Sequence, residues 1–158
     1  MIPRFRAFAL VAGAELLCAP SGCVSTRTVG ENAAPQHLGS VQAGSSDLGE
    51  TTFDPGVCLS GEREMFLGAD FLDHDRGLVL RIVWDPLAGP AVRVFDRGDP
   101  SAKSIVFREA DCRQFKASVD PTNWRINDVD EYKVAADVDC GDPENGFVKA
   151  HVSAAHCR

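Results

Sequence analysis

The chain is predicted to fold as an all-β protein, a compact antiparallel sandwich or a partly closed barrel. Three observations predict it. Short runs rich in Val, Leu, Ile and Phe follow Phe53 and are divided by Asp, Gly and Pro turn signals. Within several of these runs apolar and polar residues alternate, the period of a half-buried strand. Beyond residue 53 no stretch of adequate length carries a helical period.

The first expected strand is Glu64–Leu72, followed by the polar turn Asp73-His74-Asp75-Arg76-Gly77. Leu78–Trp84 is the strongest. Leu78, Leu80, Ile82 and Trp84 fall on one face and Val79 and Val83 flank Arg81 on the other. Apolar residues on both faces mark a central strand. Asp85-Pro86-Leu87-Ala88-Gly89-Pro90 turns the chain into Ala91–Phe95, so the two strands form a hairpin. Ser104–Phe107 and Cys112–Val119 come next. A connection then runs from Asp120 to Glu131, with a short strand at Trp124–Ile126. In the last hairpin Val134, Ala136 and Val138 match Val148, Ala150 and Val152. Pairing Val138 with Val148 and Val134 with Val152 leaves a loop of about five residues.

Length and charge set the broad class. A chain of 158 residues suffices for one ordinary domain. Its formal net charge is −7 and no Lys/Arg-rich run occurs. Nucleic acid is thereby disfavoured as a partner, because neutralising phosphates takes a concentrated basic face. Electrostatic docking to a membrane surface is disfavoured for the same reason. The acidic balance serves solubility.

The N-terminus has the texture of an export signal, residues 1–22. Arg4 and Arg6 give a short basic region, and Ala7–Leu17 is a mostly apolar run interrupted by Glu15. That run is too short to span a hydrocarbon core of ~30 Å as a helix. Ala19-Pro20-Ser21-Gly22-Cys23 resembles the lipobox of bacterial lipoproteins, with small residues directly before the cysteine and Pro20 where such sequences usually carry Leu. The resemblance implies a lipid on Cys23 as the first mature residue. Val24 in place of an acidic residue further implies an outer-membrane destination. Plain secretion, after cleavage nearby without a lipid, is the alternative. Beyond the signal the chain resembles small bacterial envelope lipoproteins in general.

Residues 23–52 read as a flexible tether, with an N-terminal arm packed against the domain as the alternative. They are rich in Gly, Ser, Ala and Thr with no sustained apolar period, too little apolar surface to offset the entropy of ordering. A flexible chain of this length has a typical span of roughly 30 Å. The β-domain is expected over residues 53–158. It holds four cysteines, Cys58, Cys112, Cys140 and Cys157. In an exported chain an even number reads as disulfides, here two, with three possible connectivities. Cys58 opens the domain and Cys157 nearly closes it, so a bridge between them would staple its ends. Cys112 begins one strand and Cys140 ends another, and as antiparallel neighbours they would meet at one edge. The favoured pairing is therefore Cys58–Cys157 with Cys112–Cys140. No close cysteine pair has zinc-ligand spacing, and no metal or cofactor is expected.

Candidate chemistry is sparse. Asp73-His74-Asp75 combines carboxylates with an imidazole, as cation binding or proton transfer requires, but falls where a turn needs Asp for its own backbone. Asp128-Val129-Asp130-Glu131 and Asp137-Val138-Asp139 bring carboxylates together without EF-hand spacing. Asp137 and Asp139 share the solvent face of a strand. His151 and His156 accompany no nucleophile motif, and no G-x-S-x-G, H-E-x-x-H, P-loop or dinucleotide fingerprint is present. Trp124 and Arg125 would make a stacking platform for a sugar or a peptide if exposed; an indole packed inward is the competing use.

Two functions follow as expectations. The leading one is a non-enzymatic secreted or lipid-anchored envelope protein, a binding or structural module for another envelope protein or a glycan. The alternative is a small secreted hydrolase or metal-dependent enzyme using His74 and nearby carboxylates. A continuous exposed apolar patch would favour the first, and a cleft joining His74 to two or more carboxylates the second.

Overall fold

The computed structural model describes residues 37–99 and 104–158, which form ten strands in two antiparallel five-stranded sheets. In chain order the strands are β1 (Gly39–Ser45), β2 (Gly49–Phe53), β3 (Val57–Ser60), β4 (Gly68–Leu72), β5 (Leu78–Asp85), β6 (Gly89–Asp96), β7 (Ile105–Arg108), β8 (Cys112–Ile126), β9 (Val129–Asp142) and β10 (Gly146–Cys157). One sheet has the order β2-β1-β10-β9-β8, the other β3-β4-β5-β6-β7. The all-β sandwich expected from the sequence is the fold observed.

The core lies between the sheets. Val134, Ala136, Val138 and Cys140 of β9 and Val148, Ala150, Val152 and Ala154 of β10 face Phe71, Leu78, Leu80, Ile82, Val92 and Val94 of the second sheet. Period-2 patterning puts these side chains on one side of each strand. The two ends of β10 meet opposite edges of the other sheet. Cys157 is bonded to Cys58 in β3, whereas Gly141 and Gly146 at the hairpin end lie against Phe107 and Ile105 of β7. The strands of the two sheets therefore cross steeply, the orthogonal mode of sheet stacking. Both favoured disulfides are present. Cys58–Cys157 joins the sheets, and Cys112–Cys140 ties β8 to β9, where the two residues are directly opposed.

Four details correct the expectations. The first concerns the tether: residues 39–53 form β1 and β2, so the β-domain begins well before Phe53. Val41 and Ala43 are fully buried and β1 pairs with β10. Burial there comes from the shared core that β1 joins by pairing with β10, rather than from local apolar content, which is why composition hid it. At Gly39 φ is +130°, and a Cβ would run into the carbonyl of His151, so this glycine is needed for the close approach. The signal peptide, Cys23 and the first part of the tether lie outside the described residues.

The second correction shortens Glu64–Leu72 to Gly68–Leu72. Gly61–Glu64 is a 3₁₀ turn capped by the Ser60 hydroxyl, and Met65 adopts φ 60°, which ends any extended run before it. The third removes the connection Asp120–Glu131. β8 and β9 continue through it and are joined at Asn127-Asp128, both at positive φ. Asn and Asp tolerate that conformation, and two such residues make the hairpin turn that suits twisted strands. Last is the register of β9 with β10. Val148 faces Cys140, Ala150 faces Val138 and Val152 faces Ala136, two residues away from the expected pairing. A slip of two keeps every side chain on its own face, so the apolar pattern could not choose.

Candidate functional site

β8 is the outermost strand of its sheet, and the second sheet does not fully cover it. Phe115, Ala117 and Val119 point toward the core but are only half-buried. Trp84 and Leu67 reach the same region and remain 42 % and 43 % exposed. Trp84 sits at the far end of β5, beyond the buried stretch that holds Leu78, Leu80 and Ile82, and its N–H donates to the Leu67 carbonyl. Two adjoining hollows share this indole. The larger, of about 590 Å³, is lined by Trp84, Pro90, Phe115, Ala117 and the polar residues Lys116 and His151 among others. The smaller, of about 300 Å³, lies between Leu67, Trp84, Ala117 and Val119. The larger hollow also carries Glu109, Ser118, Asp137 and Ser153, so apolar surface and polar groups meet in one open groove, the usual build of a binding surface.

Trp124 occupies the far end of the same strand. Between Pro121 and Arg125 β8 carries two more residues than β9 opposite, a bulge, and bulges re-aim side chains. Trp124 is 69 % exposed, so its indole does not pack inward. Its backbone N–H donates to Thr122 Oγ1, whose hydroxyl donates to Glu131 Oε1. Glu131, only 3 % exposed, also meets His156 Nδ1 at 2.7 Å and Arg158 Nε at 3.5 Å. Arg125 pairs with Asp130 at 3.1 Å. Thus a buried carboxylate, held by His156 beside the bridged Cys157, fixes the base of the bulge that presents Trp124.

The His156 hydrogen bond holds the Glu131 carboxyl below its ordinary value of 4.5, aided by Thr122 and Arg158 and opposed by burial. A carboxyl with a lowered folded-state pKa adds stability that is complete above its ordinary value and is lost as pH falls through the folded value. Glu131→Gln is therefore expected to lose less stability than the parent on acidification from neutral pH to below 4.5. Thermal unfolding across that range checks it; equal slopes for the two proteins would contradict it.

The acidic clusters perform structural work. Asp73 Oδ1 accepts the backbone N–H groups of Asp75 and Arg76, fixing the turn that contains His74. Asp139 pairs with Arg113, and Asp137 accepts from Gln114 and lies 4.0 Å from His151. Among the described residues no three His, Cys, Asp or Glu side chains converge as a metal site requires.

Sequence reasoning missed one charged cluster. On the outer face of the second sheet, Asp70 is 3 % exposed and receives Arg81 Nε at 2.8 Å and Nη2 at 2.7 Å. Arg81 also pairs with Glu64, and its guanidinium lies 4.3 Å from the Phe66 ring and 5.1 Å from Phe95. The partners share only the alternation of β4 and β5, where Asp70 and Arg81 are directly opposed. The groove was missed too, since where the second sheet stops is not encoded in the local pattern of β8.

Fold and groove together define a disulfide-stapled β-sandwich with an uncovered apolar margin. Comparison with protein-family models, curated proteins and solved structures finds no match. The two disulfides mark a non-cytoplasmic protein. Among the described residues no helix is long and apolar enough to cross a membrane.

Proposed function

We propose that the chain is a non-enzymatic module of a bacterial cell envelope, anchored by a lipid on Cys23 or secreted, which binds an envelope protein or a glycan. The observation that carries this reading is the groove: Trp84 and Leu67 are exposed beside the half-covered apolar row of β8. Exposing large apolar side chains in one contiguous patch forgoes burial, which a soluble domain does mainly where a partner supplies it. Trp124, exposed further along the same strand, offers a second rigid aromatic surface suited to stacking on a sugar or a peptide. The lipobox-like residues before Cys23, with disulfides downstream, support the envelope setting.

Radical footprinting of the chain in its native envelope, against the purified protein, tests this. Trp84 and Leu67 are expected to lose labelling in the envelope, while Leu87, 98 % exposed, keeps it. Cys23→Ser is expected to release the chain into the soluble fraction and restore the labelling of Trp84. Equal labelling of Trp84 in both settings would reject the binding role. A chain that stays membrane-bound without Cys23 would reject the anchor.

A further inference from the structure

β8 ends its sheet, so its outer backbone edge has no neighbouring strand among the described residues. From Gln114 to Pro121 it runs in unbroken register with β9. Along this stretch Lys116, Ser118 and Asp120 are exposed on one face, and Ala117 and Val119 lie on the core-facing side. Lys116 and Asp120 stand opposite Asp137 and Lys133 of β9, yet neither closes an ion pair among the described residues, so both remain open to charges across the free edge. Ser118 stands midway between the two charges. The edge is therefore complementary to itself.

We propose that β8 pairs antiparallel with β8 of a second copy of this chain, about a twofold axis at Ser118, joining the two five-stranded sheets edge to edge. In this register Lys116 stands opposite the partner's Asp120 and Asp120 opposite the partner's Lys116, so the symmetric contact holds two opposite-charge pairs. On the core side Ala117 meets the partner's Val119, which extends the apolar row beside Trp84 and Leu67. Charge selects the register. A slide of four residues one way opposes Lys116 to the partner's Lys116, and the other way Asp120 to the partner's Asp120, like against like. Pro121, without an N–H, ends the ladder before the bulge. An unpaired edge is a template for uncontrolled association, and a closed twofold pair consumes it. The seam shares Ala117 and Val119 with the hollows beside Trp84, but self-association is read without any ligand, so its failure and that of the ligand reading are distinguishable.

Sedimentation equilibrium of the purified full chain tests it. A reversible monomer–dimer equilibrium is expected. Lys116→Asp and Asp120→Lys each bring like charges together twice and are expected to weaken the dimer by about tenfold or more. The double variant K116D/D120K restores opposite pairs and is expected to return affinity to within about threefold of the parent. Ser118→Arg, which sets two guanidinium groups on the axis, provides a further break at an exposed position. A chain that is monomeric up to about 1 mM, a dimer indifferent to both reversals, or a double variant no stronger than the singles would each overturn the proposal.

Discussion

Replacing both Cys58 and Cys157 by alanine is expected to lower the unfolding free energy by about 4–5 kcal/mol, close to the whole margin of a small domain. The bridge spans 99 residues of sequence, so it removes a large share of the unfolded chain's freedom. It also crosses between sheets, from β3 to β10, where the layers are otherwise joined by core packing, the Arg158 N–H donating to the Cys58 carbonyl, and the Asp130 N–H donating to the Glu62 carboxylate. The Cys112–Cys140 bridge closes only 28 residues and joins strands already paired by a long ladder. Its removal is expected to cost less, about 3–4 kcal/mol. Urea unfolding of the two double variants measures the difference. Equal losses would mean that loop length does not govern the effect.

The second large effect concerns Arg81. Arg81→Met leaves the Asp70 carboxylate almost fully buried without its cation, and an uncompensated buried charge of this kind costs about 3–5 kcal/mol. Part of the Arg81 side chain reaches solvent, which sets the expectation at about 3 kcal/mol. The double variant Asp70→Leu with Arg81→Met removes both charges and keeps apolar volume between Phe66 and Phe95. It is expected to recover most of the loss, since apolar replacement of a buried pair is often neutral. If Arg81→Met alone unfolds at the parent's urea midpoint, the pair is idle.

The sequence disclosed the strands whose burial follows from their own composition. Leu78–Trp84 and the alternating segments of β9 and β10 carry enough Val, Leu and Ile to state their faces without help. The pairing Cys58–Cys157 follows from taking Cys58 as the opening of the domain, although β1 and β2 precede it; Cys112–Cys140 follows from the adjacency of β8 and β9. β1 shows the opposite case. Val41 and Ala43 are buried in the core that β1 joins by pairing with β10, and nothing in their glycine- and serine-rich surroundings reports that neighbour. The β8–β9 connection was obscured by Pro121 and the bulge after it, although Asn127-Asp128 carried the turn chemistry. The site was less legible than the fold. Exposure of Trp84 depends on how far one sheet extends over another, and burial of Asp70 depends on Phe66 and Phe95 folding over Arg81. Trp124 was singled out by residue type, but its outward presentation follows from a bulge held by Thr122 and Glu131.

Titration of the purified chain against a panel of cell-wall glycan fragments and extended peptides, with Trp84→Ala alongside, tests the functional reading most directly. Saturable binding to at least one class is expected, weakened about tenfold or more by Trp84→Ala, with every bound compound recovered unchanged. A panel without binding, or turnover that disappears in His74→Ala, would contradict it.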